Sequence, residues 1–201
     1  PITAGFLVFA LLIFWNLPAS SIVIFLPKNT FSLEWFHGTL WKGGAVRSSM
    51  STPKGPLNLG HLEWNLVPLS WLKLSPEVKV KAVWGEQSFS GIGKLGFGDR
   101  IEFIDLSGIV DASVLNSIFP LSIDGIIQWE LDHLSFSTKS SVLNASGRLD
   151  WRKAKTFVKG KSFALGSYSA DLSTVKFNDT RAEIRTIQGP VLVNGLVTID
   201  M

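Results

Sequence analysis

From Lys28 to the end of the chain, apolar and polar residues alternate in short runs broken by Gly, Pro, Asn and Asp. A side-chain period of two is the repeat of an extended strand with one buried face, and a helix of 3.6 residues per turn cannot satisfy it. In residues 142–151, Leu143, Ala145, Gly147, Leu149 and Trp151 share one face, while Asn144, Ser146, Arg148 and Asp150 share the other. In residues 77–82, Val78, Val80 and Ala82 oppose Glu77, Lys79 and Lys81. Similar runs occupy residues 31–35, 62–66, 89–97, 104–109, 127–131, 134–136, 175–177, 182–184 and 191–199, so the expected fold is mainly β, a long twisted antiparallel sheet. Two stretches read as short helices. Residues 68–72 make one turn, and residues 111–119 have Asp111 at the cap, Val114, Leu115 and Ile118 at helical spacing, and Pro120 as the stop.

The pattern Gly-x-Leu/Ile-x-Trp occurs at Gly60 to Trp64, Gly125 to Trp129 and Gly147 to Trp151, with Gly38-Thr-Leu-Trp41 as a shortened relative. Alternate residues share a face, so each copy aligns Gly, an aliphatic residue and Trp. Trp64, Trp129 and Trp151 are therefore expected in the strand core, with glycine making room for a neighbouring Trp. The unequal spacing of the copies excludes a solenoid of fixed period and fits a sheet built from repeated hairpins.

Residues 1–26 contain no charged residue, and they divide the chain into an expected anchor with its exit segment (1–26) and a β-rich domain (27–201). The run from Ile2 to Leu17 reads as a single transmembrane helix. At about 1.5 Å per residue its sixteen residues give roughly 24 Å, short of a hydrocarbon core of roughly 30 Å, so the span needs residues upstream or continuation past Pro18. The alternative is a cleavable signal peptide, for which Pro18-Ala-Ser-Ser21 offers small residues at a cleavage point. Trp15 and Asn16 suit a membrane interface, which a retained anchor would use. Because the chain begins with Pro, the start of the protein and the Lys and Arg residues that would set orientation are expected to lie upstream.

The 19 Lys and Arg against 16 Asp and Glu leave a net charge of +3 with no basic cluster, which argues against a nucleic-acid partner. Zero cysteines exclude a disulfide framework, a thiolate nucleophile and thiolate-ligated metals. Gly91-Ile-Gly-Lys-Leu-Gly96 matches a dinucleotide-binding spacing but continues into another strand-like run, where such a site needs a helix. Gly160-Lys161-Ser162 resembles the end of a phosphate-binding loop, yet Lys155 stands where its first glycine belongs. Asn144-Ala-Ser146 and Asn178-Asp-Thr180 are glycosylation sequons of a kind that arises by chance. His37, His61 and His133 lie far apart without a metal-binding spacing, so any metal site would have to be assembled by folding. No nucleophile elbow is present, and Asp132-His133 with a distant Ser is the best hydrolase set that can be drawn. No catalytic residue, cofactor, metal or small-molecule substrate is expected.

The stretch Leu33-Glu-Trp-Phe-His-Gly-Thr-Leu-Trp-Lys-Gly-Gly-Ala-Val46 resembles the signature of the type II secretion system protein N (GspN) family, a Gly-Thr-hydrophobic-Trp-x-Gly-x-Ala segment following an N-terminal anchor. Leu62-Glu-Trp-Asn-Leu-Val-Pro-Leu-Ser-Trp-Leu72, Asp105-Leu-Ser-Gly-Ile-Val-Asp-Ala112 with Phe119-Pro-Leu121 and Gly125, Ala145-Ser-Gly-Arg-Leu-Asp-Trp151, and Leu165-Gly-Ser-Tyr168 resemble later parts of the same family. The resemblance implies a bitopic inner-membrane protein of a Gram-negative bacterium whose β-rich bulk lies in the periplasm. Such a protein is accessory to the machine that moves folded exoproteins across the outer membrane. Its implied partners are other secretion components, the inner-membrane platform or the secretin, together with membrane lipid. Members of the family usually continue further, so a C-terminal stretch beyond Met201 is expected. Gly38, Thr39, Leu40, Trp41, Gly43 and Ala45 are signature positions with a structural or docking role and no chemistry of their own.

Two modes of action follow. The domain acts through protein contacts at its sheet edge or aromatic surface, or its Trp- and Phe-rich face holds acyl chains, as in the AsmA-like lipid-handling β-groove proteins. The two differ in whether the apolar face closes into a core or stays an open trough.

Overall fold

The computed structural model describes residues 2–26, 30–52, 54–68, 70, 75–95, 100–117, 122–137, 143–158, 160–176 and 179–200. It opens with a helix, α1 (Ile2–Trp15), whose described side chains are uncharged, apolar but for Thr3, and exposed, Phe6 at 70% and Leu11 at 62%. A helix with an apolar surface all round calls for an apolar surround, which among the described residues the rest of the chain supplies at the helix's C-terminal end. Fourteen residues rise about 21 Å, and among the described residues no helix is long and apolar enough to cross a membrane. The expected helix over 2–17 with continuation past Pro18 is corrected. α1 stops at Trp15, Pro18 takes an extended backbone bridged to Thr39, and a 3-10 helix, Ala19–Phe25, follows. Proline disfavours the helical conformation in the residue before it, which explains the break.

Among the described residues eleven strands follow in one antiparallel sheet whose spatial order is the chain order: β1 (Phe31–Gly38), β2 (Lys42–Thr52), β3 (Gly55–Val67), β4 (Glu77–Trp84), β5 (Gln87–Leu95), β6 (Arg100–Asp111), β7 (Ile123–Ser137), β8 (Leu143–Val158), β9 (Lys161–Lys176), β10 (Asp179–Gln188) and β11 (Gly195–Asp200). The mainly antiparallel-β expectation holds. β7 merges the two runs read at 127–131 and 134–136, and a register shift between Leu131 and His133 absorbs the polar Asp132-His133 pair that interrupts the alternation. The helix expected over 111–119 is a 3-10 turn, Ala112–Ser117, with Asp111 ending β6 rather than capping. Residues 118–121 lie outside the described set, as do Leu69 and residues 71–74 of the turn expected at 68–72, residues 96–97 of the 89–97 run, and Phe177.

The register gives the sheet two chemically distinct faces. One cross-strand row reads Phe36, Ala45, Leu62, Ala82, Phe89, Gly108, Trp129, Leu149, Ala170, Ile184 and Gly195, from the first strand to the last without a polar residue. The row one residue over faces the opposite way. It reads His37, Gly44, Glu63, Lys81, Ser90, Ser107, Glu130, Arg148, Asp171 and Glu183 before ending at Leu196. Two small cores form where a 3-10 helix packs on the apolar face. Ala19 joins Ala45 and Trp64 near β1–β3, and Ala112 joins Val110 and Ile127 near β6–β7.

Candidate functional site

The β1–β2 turn is built by the signature residues. Gly38 has a φ of +79°, and a Cβ there would run into the Lys42 carbonyl oxygen, so the tight reversal admits only glycine. The Thr39 N–H donates to Lys42 O (2.9 Å), and the Thr39 hydroxyl accepts from the Lys42 N–H (3.2 Å), which closes the turn. The residues between then reach back to the N-terminal helix. The last carbonyls of a helix have no intrahelical donor. Here the Trp41 indole N–H donates to Phe14 O (3.0 Å) and the Leu40 N–H to Leu17 O (2.8 Å). The Trp41 ring stacks on Trp15 at 5.9 Å between centroids and meets Phe14 edge-on at 4.8 Å.

β3 fixes the same turn from the other side. The Trp64 indole donates to Leu40 O (2.9 Å), and the Leu66 N–H donates to Trp41 O (2.7 Å). A Cβ at Gly43 would lie 2.9 Å from the Ala19 Cβ, and Ala45 is fully buried beside Ala19 and Trp64. Leu40, Trp41, Gly43 and Ala45 are thus interior, and their neighbours Lys42, Val46 and Arg47 are exposed. The segment is a clasp that joins the apolar helix to the end of the sheet.

Of the repeated tryptophans, Trp64 is buried, and Trp129 and Trp151 are half-buried. Glycine does make room for Trp, but across strands: the Trp129 ring lies over Gly108, and the Trp151 indole sits 3.0 Å from where a Gly125 Cβ would be. The Trp151 N–H donates to Asp124 O (3.2 Å).

The apolar face stays open between its two small cores. A groove of about 390 Å³ over β3–β6 is lined by Leu62, Val80, Ala82, Phe89, Phe103 and Trp129 among others. A second, of about 570 Å³, lies between the helical segments and the sheet, with Phe14, Leu17, Ile22, Trp41, Leu66 and Phe103 on its walls. A third, of about 380 Å³, is bounded by Leu149, Trp151, Tyr168, Ile184 and Val193. On the polar face Asp171 holds Arg148 (2.8 Å) and Arg185 (3.9 Å), and Arg185 also pairs with Glu183 (2.9 Å). The hydrogen bond to Asp171 and then its charge push the Arg148 guanidinium above its ordinary value, and Glu183 does the same for Arg185.

Gly91 and Gly93 lie within β5 and Gly96 is outside the described residues. Asn144 is buried against Ser135, and Asn178 is outside the described residues. One grouping that spacing could not reveal is His37 on β1 with His61 and Glu63 on β3, whose ligand-type atoms all lie within 4.8 Å of one another.

A family model described as Type II secretion system (T2SS), protein N matches residues 29–201. The chain belongs to the type II secretion system protein N family. The Type II secretion system protein N of Aeromonas hydrophila is 28% identical over 195 residues, covering 92% of this chain and 73% of that protein. No solved structure matches the chain. The chain is therefore a type II secretion component. The segment that carries the family resemblance, residues 33–46, is the one that builds the clasp.

Proposed function

We propose that the chain is an inner-membrane-anchored accessory component of type II secretion, with its sheet in the periplasm, assisting folded exoproteins across the outer membrane by contact and without catalysis. The observation that carries this reading is the clasp. Signature residues Leu40 and Trp41 bind the carbonyls of Leu17 and Phe14 and tie an uncharged, exposed helix to the first hairpin of the sheet. A helix placed in the bilayer then fixes where the sheet begins and presents the later strands away from the membrane. Among the described residues β1 pairs on one side only, which offers backbone groups for strand addition by a platform or secretin subunit. Trp35 on β1 supports an edge contact: it is 70% exposed and held at a φ of +57°, a conformation that costs a non-glycine residue about 1–2 kcal/mol.

The test is deletion of the gene with complementation. Secretion of folded exoproteins should fall or slow, their synthesis should be unchanged, and complementation with Trp41→Ala should restore less secretion than the wild type does. Unchanged secretion in the deletion strain contradicts the proposal.

The uninterrupted apolar row and its open grooves favour a second reading, in which the trough holds acyl chains of membrane lipid. The groove beside the helix opens among Phe14, Leu17 and Ile24, where a lipid tail could pass from bilayer to sheet. Phospholipid recovered by photo-crosslinking at Val80 or Phe89, with secretion untouched by the deletion, would put this reading first.

A further inference from the structure

We propose that His37, His61 and Glu63 form a binding site for a borderline transition-metal ion of the Zn²⁺ type on the polar face of β1–β3. The proposal stands independently of the secretion and lipid readings. His37, Gly44 and Glu63 are directly aligned across β1, β2 and β3, and His61 lies two residues from Glu63 on the same face. The central strand contributes no side chain at this point. A Cβ at Gly44 would fall 2.5 Å from His37 Cε1 and 2.8 Å from His37 Nε2, so the imidazole lies in the space that glycine leaves vacant. This carries the His37 ring across β2 to within 5.4 Å of the His61 ring, centroid to centroid.

His61 Nε2 is 3.2 Å from Glu63 Oε1, the pairing of imidazole and carboxylate that a metal would replace. Two imidazoles and a carboxylate are a recurrent three-ligand set for Zn²⁺, with bonds of about 2.0–2.2 Å and a fourth position left open. Tetrahedral bonds of that length put ligand atoms roughly 3.4 Å apart. The observed spread of up to 4.8 Å must therefore close by about 1.4 Å to reach tetrahedral bonding, and His37 and Glu63 are exposed enough for side-chain rotation to supply it.

The surroundings select the kind of ion. Lys42, Lys79 and Lys81 line the same depression. A hard cation such as Mg²⁺ or Ca²⁺ depends on several oxygen ligands and on net negative charge, and would find two carboxylates, Glu63 and Asp105, outnumbered by three ammonium groups. Imidazole lone pairs bind a transition metal through a bond that nearby positive charge weakens but does not remove. The consequence is a staple across three strands that ties the outer strand β1, and the turn that follows it, to β3.

The test uses the untagged full chain in detergent, titrated calorimetrically with Zn²⁺. One ion per chain should bind, and the unfolding temperature should rise with it. His37→Ala and His61→Ala should each weaken binding by no less than the roughly tenfold that losing even a supporting partner of a metal ligand costs, and Glu63→Gln should weaken it as well. His133→Ala should bind as the wild type does. X-ray absorption of the zinc-loaded chain should show two imidazoles in the coordination shell. Because His37 is exposed, its substitution leaves the apo fold intact, which circular dichroism and the apo melting temperature verify. Absence of saturable binding, equal affinity in the His37→Ala/His61→Ala double variant, or a shell with fewer than two imidazoles would overturn the proposal.

Discussion

The two ends of the sheet use the same strand grammar and reach different outcomes. At the helix-proximal end, Leu40, Trp41, Ala45 and Trp64 are interior, because Ala19 and Ile22 of the 3-10 helix lie on the apolar face and the end of α1 lies on the turn. At the distal end Leu192 and, on the apolar face of β11, Val197 are exposed, Leu192 at 78%. Alternation decides which face a residue points to. Whether that face is dry depends on what lies against it, and among the described residues a helical cover lies on the proximal end and not on the distal one. The contrast fits the proposed anchoring at the proximal end and the proposed contact with protein or lipid at the distal apolar surface.

The largest difference between the two ends is expected at the tryptophans. Trp64→Ala removes a buried ring and leaves Leu40 O without its donor, and should cost about 3–5 kcal/mol. Trp151→Ala, at a half-buried position, should cost about half as much. Denaturant melts of the two variants give the comparison, and equal losses would mean that the ends are equally closed.

Glycines sharpen it next. Gly38→Ala places a side chain at a positive φ and against the Lys42 carbonyl, and should cost about 2 kcal/mol or more. Gly195→Ala in β11 meets nothing within 4 Å and should stay within about 0.5 kcal/mol of the wild type.

The strands were legible where both faces carry their proper residue types. Residues 77–82 alternate strictly and fall wholly within β4. β2 and most of β9 were not legible, for a physical reason in each case. β2 is made of Gly43, Gly44, Ala45 and a serine-rich stretch because the Ala19 methyl and the His37 ring occupy the space where side chains would stand, so its apolar signal is carried by its neighbours. In β9 the register shifts opposite Gly166, and the alternation changes phase within the strand. The signature positions were visible as a motif. Their role in capping α1 was not, since it depends on Phe14 and Leu17, which the sequence places more than twenty residues away. The His37, His61 and Glu63 group is likewise a product of strand register, which no local spacing encodes.

Smaller effects complete the series. Trp41→Phe keeps the aromatic contacts but removes the bond to Phe14 O, and should cost about 0.5–1.5 kcal/mol in the proximal end alone. Ser48→Ala should go the other way. The Ser48 hydroxyl is fully buried in β2 and has no hydrogen-bond partner among the described residues, so its removal should raise stability by up to about 1 kcal/mol. On the distal polar face, Arg148→Gln removes an exposed pairing with Asp171 and should leave the unfolding midpoint unchanged.

The claim that the chain works in secretion by contact, held in place through its clasped helix, is tested most directly by photo-crosslinking in secreting cells. The probe is placed at exposed Lys42 and Val46 beside the clasp, at Trp35 on the β1 edge, and at Leu196 on β11. Capture of a type II secretion subunit from at least one edge position, lost when Trp41→Ala loosens the clasp, is the predicted result. Adducts with phospholipid alone, unaffected by the Trp41 substitution, would contradict it.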